Sequence, residues 1–276
     1  MTDIVSTSSG SGPVTGRLKK PERRRQILLE LKLRPHVRIS ALARRFSVSP
    51  ETLRRDLDAL SEDGLIDRAH GGATAPLQGH YPSLSERTSA RVDERERIAA
   101  LAASTVRDGE TLMIDSGSTT IGLARALAYR GTSCTVITNS LPVAMTLGHA
   151  EADVMLCPGE YQPEESAVTG TETLEFLRGF RVDRCMIGAS GLSVEGVSET
   201  VPGFAAVKRE MLRRAGMGQL LIDSNKFGLT GLAHVAPMDG LDTVFTDQRP
   251  AGGLLAALAS GDVEIRVADT GERKTD

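Results

Sequence analysis

The chain has 276 residues, 40% hydrophobic and 25% charged, with a formal net charge of −3, so it suits about two globular domains with real cores and is not a low-complexity or polyionic polymer. No run approaches the roughly eighteen apolar residues of a membrane helix, and three widely spaced cysteines without a Cys-x-x-Cys pair exclude a disulfide framework or zinc ribbon. Charge is uneven: residues 17–72 carry 14 Lys and Arg against 8 Asp and Glu, whereas residues 73–276 carry 19 against 27, which places a basic head before an acidic body.

Residues 1–16, MTDIVSTSSGSGPVTG, lack a positive start and an apolar core. They are expected to be a disordered tail rather than a signal peptide. From residue 17 to 73 the pattern is that of a winged helix-turn-helix. Ile27, Leu28, Leu31 and Leu33 mark a first amphipathic helix, and Ile39, Leu42, Ala43 and Phe46 a second. Ser49 suits an N-cap, Pro50 the first helical position and Glu51 the positive end of the dipole of a third helix running to Glu62. At about 100° per residue, Leu53, Leu57 and Leu60 share its buried face and Arg55 points away, with Thr52 and Arg54 on the flanks. The amino-terminal part of such a helix meets DNA bases. Arg54 and Arg55 then either grip guanine edges, clamp phosphates, or pair with Glu51 and Asp58 on a solvated face. After Asp63-Gly64, residues 65–72 alternate before a glycine pair, as a wing hairpin does, which puts Arg68 and His70 toward the DNA backbone unless His70 is an ordinary loop histidine.

Residues 74–90, with Pro76, Gly79 and Pro82, have little periodicity and are expected to be a linker. Residues 91–270 then alternate helices with short apolar runs: strands at Thr111–Asp115, Cys134–Thr138, Val154–Cys157, Cys185–Gly188, Gln219–Asp223, Thr243–Thr246 and Val263–Val267, with helices between most of them. That alternation predicts a largely parallel α/β sheet. Cys134, Cys157 and Cys185 lie in these apolar runs and are expected as buried, reduced thiols rather than metal ligands. In such sheets ligands gather beyond the carboxyl ends of the strands. Asp115-Ser116-Gly117-Ser118-Thr119-Thr120 leaves one strand and opens a helix, a cradle suited to a phosphate dianion. Thr138-Asn139-Ser140 ends a second strand, and Asp223-Ser224-Asn225-Lys226 a third, where Lys226 supplies a cation.

The segment SVSPETLRRDLDALSEDGLIDRAHGGA resembles the signature of DeoR-family transcriptional regulators, Val-Ser-x-x-Thr-[Ile/Leu/Val]-Arg-Arg-Asp-Leu, then Gly-Leu, then His-Gly-Gly-Ala. The likeness continues in IDSGSTT (114–120), VITNSLP (136–142), RVDRCMIGASG (181–191), AAVKREM (205–211) and IDSNKFG (222–228). The resemblance implies DNA-reading roles for Ser49, Thr52, Arg54 and Arg55, and a body with the fold of ribose-5-phosphate isomerase and CoA transferases. It also implies a phosphorylated sugar held by loops 115–120, 138–140, 188–191 and 223–226, with Ser190 and Lys208 among the contacts. The expected partners are operator DNA, a sugar phosphate and further copies of the chain, in the cytosol, with no cofactor and no catalytic residue. Two departures stand out. The family commonly has Gly-Ala-Asp-Gly where this chain has Gly188-Ala189-Ser190-Gly191, and an acidic residue where it has Gly203-Phe204. A sugar-gripping carboxylate is therefore expected to be missing at both places. The rival expectations are an isomerase-like enzyme with a DNA-binding head, for which Asp115, Glu199 and Asp223 remain candidate bases, and a constitutive DNA binder with an inactive body.

Overall fold

The apolar periods of the head become three helices and a small sheet. The computed structural model describes residues 19–33, 36–62, 66–69, 71–74, 84–89 and 91–268; the proposed tail and the wing residue His70 lie outside them. The chain divides into two units, residues 1–80 and 81–276. In the first, α1 (Lys20–Leu33), α2 (Ile39–Phe46) and α3 (Pro50–Glu62) enclose a core of Ile27, Leu31, Ile39, Leu42, Ala43, Phe46, Leu53, Leu57 and Leu60. The α2–α3 turn is set by Ser47, whose φ of 52° and ψ of 45° end α2, while the Val48 N–H bonds back to the Ala43 carbonyl at 3.1 Å. Strands β1 (His36–Arg38), β2 (Asp67–Ala69) and β3 (Gly72–Thr74) form an antiparallel sheet in the order β1-β3-β2. The glycine pair has two separate causes. Gly71 has φ +75°, and a Cβ on Gly72 would lie 1.9 Å from the Val37 carbonyl oxygen.

The body differs from the sequence-based expectation at its start: the supposed linker contains α4 (Leu84–Ser89), anchored by buried Leu84. One apolar residue in six is too weak a period to announce a helix. Then follow α5 (Val92–Ala103), β4 (Thr111–Ile114), α6 (Ser118–Arg130), β5 (Cys134–Thr138), α7 (Leu141–Leu147), β6 (Ala152–Leu156), β7 (Glu160–Gln162), β8 (Ala167–Thr169), α8 (Thr171–Arg178) and β9 (Val182–Ile187). The chain continues through β10 (Gly191–Ser193), β11 (Gly196–Glu199), α9 (Pro202–Arg214), β12 (Ala215–Leu221), β13 (Ala233–Ala236), β14 (Thr243–Thr246), α10 (Gly252–Ser260) and β15 (Glu264–Val267). Seven strands form one sheet in the order β15-β14-β12-β9-β4-β5-β6, every adjacent pair parallel.

Strand residues alternate between two cores, as a pleated sheet requires. Leu112, Ile114, Met186 and Leu221 pack with Ile98, Leu123, Leu127 and Leu147 from α5, α6 and α7. Met113, Cys185, Ile187 and Leu220 pack with Leu177, Met211, Leu254 and Leu258 from α8, α9 and α10. The three cysteines are buried and unbridged, and burial pushes the Cys134 thiol up to about 11 and the Cys157 thiol up to about 12, leaving little thiolate at neutral pH. The first strand, β4, lies inside the sheet: β5 and β6 extend it to one side, β9, β12, β14 and β15 to the other. The direction of winding therefore reverses between β4 and β9, where open α/β sheets leave a crevice. The short antiparallel sheet β10-β11-β13 and the β7-β8 hairpin were not foreseen, because three- and four-residue strands carry too few alternations to register. No described helix is long and apolar enough to cross a membrane.

Candidate functional site

Two regions collect the expected functional side chains, one in each unit. On the head, Ser49 caps α3 as anticipated, its Oγ accepting the Thr52 N–H at 3.1 Å. The Thr52 hydroxyl lies 2.8 Å from the same Oγ. Arg54 and Arg55 both turn to Glu51, at 3.2 and 3.7 Å, and Asp58 pairs instead with Arg68 of the wing at 3.3 Å. These pairs are open to water, with Arg55 81% exposed, and exposed pairs contribute only about 0–1 kcal/mol. A phosphate or a guanine edge can replace them. Asp56, in contrast, is buried and accepts Arg23 at 2.5 Å and lies 3.5 Å from Arg24. It faces α1, not solvent, and sets how α3 sits. A second tie runs from Arg45 on α2 to Glu30 on α1 at 2.7 Å.

In the body, polar groups from four strand ends gather around the β4–β9 switch point, where the sheet topology places a crevice. After β4, Asp115 accepts the Gly188 N–H at 3.1 Å and takes an ion pair from Lys208 of α9. Lys208 also lies 3.3 Å from Glu199. Glu199 accepts the Ser190 hydroxyl and the Thr200 N–H, the latter at 2.8 Å. The position expected to lack a carboxylate thus has one beside it. β10 and β11 run antiparallel, returning Glu199 to Ser190, a closeness that a separation of nine residues in sequence conceals. One cation faces two buried carboxylates. Burial pushes the Asp115 carboxyl up, which Lys208 and the Gly188 N–H offset only in part. Burial acts the same way on Glu199, but Lys208 and the bonds from Ser190 and Thr200 outweigh it and hold that carboxyl below its usual range.

The remaining expected contacts separate into the backbone donors that open α6 and side chains already engaged. Gly117 precedes α6 without a side-chain cap, so the first-turn N–H groups over Ser118, Thr119 and Thr120 keep the unpaired, positive character of a helix start. Ser116 and Thr119 are buried. The Thr120 hydroxyl donates to the carbonyls of Asp115 and Gly117, both at 3.0 Å; it shapes the loop. After β5, the Thr138 Oγ1 accepts the Ser140 N–H at 3.0 Å, and the Ser140 Oγ accepts the Val143 N–H at 3.4 Å. Asn139 donates to the Val168 carbonyl at 3.0 Å, while its buried Oδ1 has no partner among the described residues. After β12, Lys226 donates to the Ala189 carbonyl at 2.6 Å, which brings its ammonium beside the 188–191 loop.

Sequence reasoning missed four groups around this crevice: Glu165, Arg87, Arg91 and Asp247. Asp247 had a signal, since it follows β14 as Asp115 follows β4. Burial pushes the Glu165 carboxyl up, against the opposing pull of Arg87. Among the described residues, no group of three His, Cys, Asp or Glu is placed to hold a metal ion. The arrangement can bind an anion at the α6 start and hydroxyl groups at the carboxylates.

Residues 90–248 match the family model of the DeoR C-terminal sensor domain, and residues 23–78 that of the DeoR-like helix-turn-helix domain. The glycerol-3-phosphate regulon repressor of Escherichia coli is 31% identical over 252 residues, 91% of this chain and 100% of that protein. The HTH-type transcriptional repressor GlcR of Bacillus subtilis is 32% identical over 246 residues, 88% of this chain and 95% of that protein. Among solved structures, ribose 5-phosphate isomerase A of Methanocaldococcus jannaschii aligns with a TM-score of 0.39 at 18% identity, over 50% of this chain and 55% of that one.

Proposed function

The chain belongs to the DeoR family of transcriptional regulators, and from that premise we propose that it represses genes for the use of a sugar or polyol and leaves its operator when a phosphorylated form of that compound enters the switch-point crevice. The observation that carries this is the uncapped start of α6, which follows buried Asp115, with Asp115 and Lys226 both bonded to the 188–191 loop and Glu199 sharing Lys208: a dianion suits the helix start and the lysine, and hydroxyl donors suit the carboxylates. We take at least two chains to bind each operator, because one small winged head seldom gives enough affinity. The test is a gel-shift titration on the DNA beside the protein's own gene, with and without a panel of sugar and polyol phosphates. Release by one member at low concentration supports the proposal, as does a shifted complex containing two or more chains; indifference to the whole panel sinks it.

Within that assay, Arg55→Ala is expected to weaken operator binding by about 1–3 kcal/mol through loss of a bidentate base contact. Equal losses on scrambled DNA would make Arg55 a phosphate clamp, and no loss would remove it from the interface. Lys226→Ala is expected to leave effector-free operator binding nearly unchanged, while the effector concentration needed for release rises by about 1.5–3 kcal/mol in free-energy terms. A response at the wild-type concentration would misplace the anion site.

No turnover of the ligand is part of this function. Glu199 is held below its usual range by Lys208, Ser190 and Thr200, and Asp115, though burial pushes it up, is 1% exposed and holds Lys208 and the Gly188 N–H, whereas proton transfer between sugar carbons needs a base that both reaches the substrate and has a pKa near the operating pH. Incubation with aldose and ketose phosphates in deuterium oxide is expected to show no exchange at the carbon beside the carbonyl. Protein-dependent exchange there would restore the isomerase alternative.

A further inference from the structure

The segment that follows the head in sequence is fastened to the crevice loops by two arginines four residues apart. Arg87 of α4 pairs with Glu165, both side chains only 11% exposed. Glu165 precedes β8, and β8 is bonded to the loop after β5: the Val168 N–H donates to the Asn139 carbonyl at 2.8 Å, and the Asn139 amide returns a bond to the Val168 carbonyl. Arg91, at the start of α5, lies 2.6 Å from Asp247 and 3.6 Å from Asp223, and its Nη2 is 3.5 Å from the Ser224 hydroxyl. Asp247 also accepts the Ser224 N–H at 2.7 Å and the Ser224 hydroxyl at 2.9 Å. One arginine thus reaches the loop after β5, and the other grips the loop after β12 that carries Lys226.

Both anchors share a mount. Buried Arg95 donates to the carbonyls of Arg87 and Arg91. Arg91 has φ 48° and ψ 46°, a conformation that non-glycine residues seldom adopt and that persists only where the surroundings impose it. Loop 223–226 cannot shift far alone, because that would part buried Asp223 from the Arg91 guanidinium and take the Ser224 N–H and hydroxyl from buried Asp247, which is strongly unfavourable. Loop and segment must move together.

We propose that Arg87 and Arg91 are positioning residues that transmit occupancy of the crevice to residues 84–95; this rests on the anion-binding assignment of the crevice made above. Neither arginine is assigned a ligand contact. The test is hydrogen exchange read by mass spectrometry on the full chain, with inorganic phosphate as the probe. In wild type, phosphate slows exchange over 115–121 and over 84–95. In Arg91→Gln the slowing over 115–121 persists and that over 84–95 is lost, and Asp247→Asn, which removes the charge from the other side of the pair, gives the same split and decides the matter if Arg91→Gln does not fold. Retention of the 84–95 response in these variants overturns the latch and leaves the anion site standing. Absence of any phosphate effect over 115–121 in wild type overturns both.

Discussion

Lys208→Met is expected to lower the unfolding free energy of the body by about 3–5 kcal/mol, the usual effect of removing one partner from a buried charge pair. The side chains of Lys208 and Asp115 are 3% and 1% exposed, and Glu199 lies 3.3 Å from the same ammonium. Methionine fills a similar volume, so the loss comes from two buried carboxylates left facing each other. The sign of its pH dependence follows. In the wild-type protein Glu199 is held below its ordinary value, so it contributes stability that is present at neutral pH and lost as the pH falls through the carboxylate range; Asp115, pushed up by burial, acts in the opposite sense. Without Lys208 both carboxyls rise above their unfolded values. The folded variant then binds more protons than the unfolded chain, and its deficit shrinks as the pH falls. Urea unfolding followed by circular dichroism at neutral and mildly acidic pH measures this. A deficit under 1 kcal/mol at neutral pH, or one that grows on acidification, would show that the cluster is not held by Lys208 charge.

Asp56→Ala is expected to destabilise the head by about 3 kcal/mol, the lower end for a buried pair, since its carboxylate joins α3 to Arg23 and Arg24 of α1. A core of this size rarely supplies more than about 5 kcal/mol, so most of the head's stability is at stake. Hydrogen exchange over 50–62 should accelerate on the order of a hundredfold, with β4 of the body unaffected. Binding to operator and to scrambled DNA should fall together, unlike the sequence-selective loss expected of Arg55→Ala. Asp56→Asn, which keeps an acceptor oxygen, should lie between. Unchanged exchange over 50–62 in Asp56→Ala would reduce the Arg23–Asp56 pair to a bystander.

Asp56 also shows where local pattern stops being informative. It sits between Arg55, which faces solvent, and Leu57, which faces the core; its position on the helix does not say whether a carboxylate there meets water, DNA or a buried arginine. The partner decides, and the partner is thirty-three residues away. Arg54 and Arg55 illustrate the same limit more mildly. Their outward direction follows from the period of α3, but that both turn to Glu51 while Asp58 takes Arg68 depends on how the wing lies.

What the sequence determined by itself was whatever is set over a few residues. The helical period of Leu53, Leu57 and Leu60, the Ser49 cap, the turn at Gly71 and the short apolar runs of the sheet each follow from local sterics and burial, and the family motifs lie on those elements. Only the tertiary structure decided which charges meet. Strand order puts β9 between β4 and β12 and so joins Asp115 to Gly188 and Lys208. The β10–β11 pairing gives Ser190 the carboxylate of Glu199, and an α4 helix without a strong period carries Arg87 to Glu165. The physical reason is range. Apolar burial is graded and repeats along the chain, so its period can be read from a short stretch, whereas a buried charge is tolerated only beside one specific partner, and the choice among distant partners is made by the packing of the whole domain.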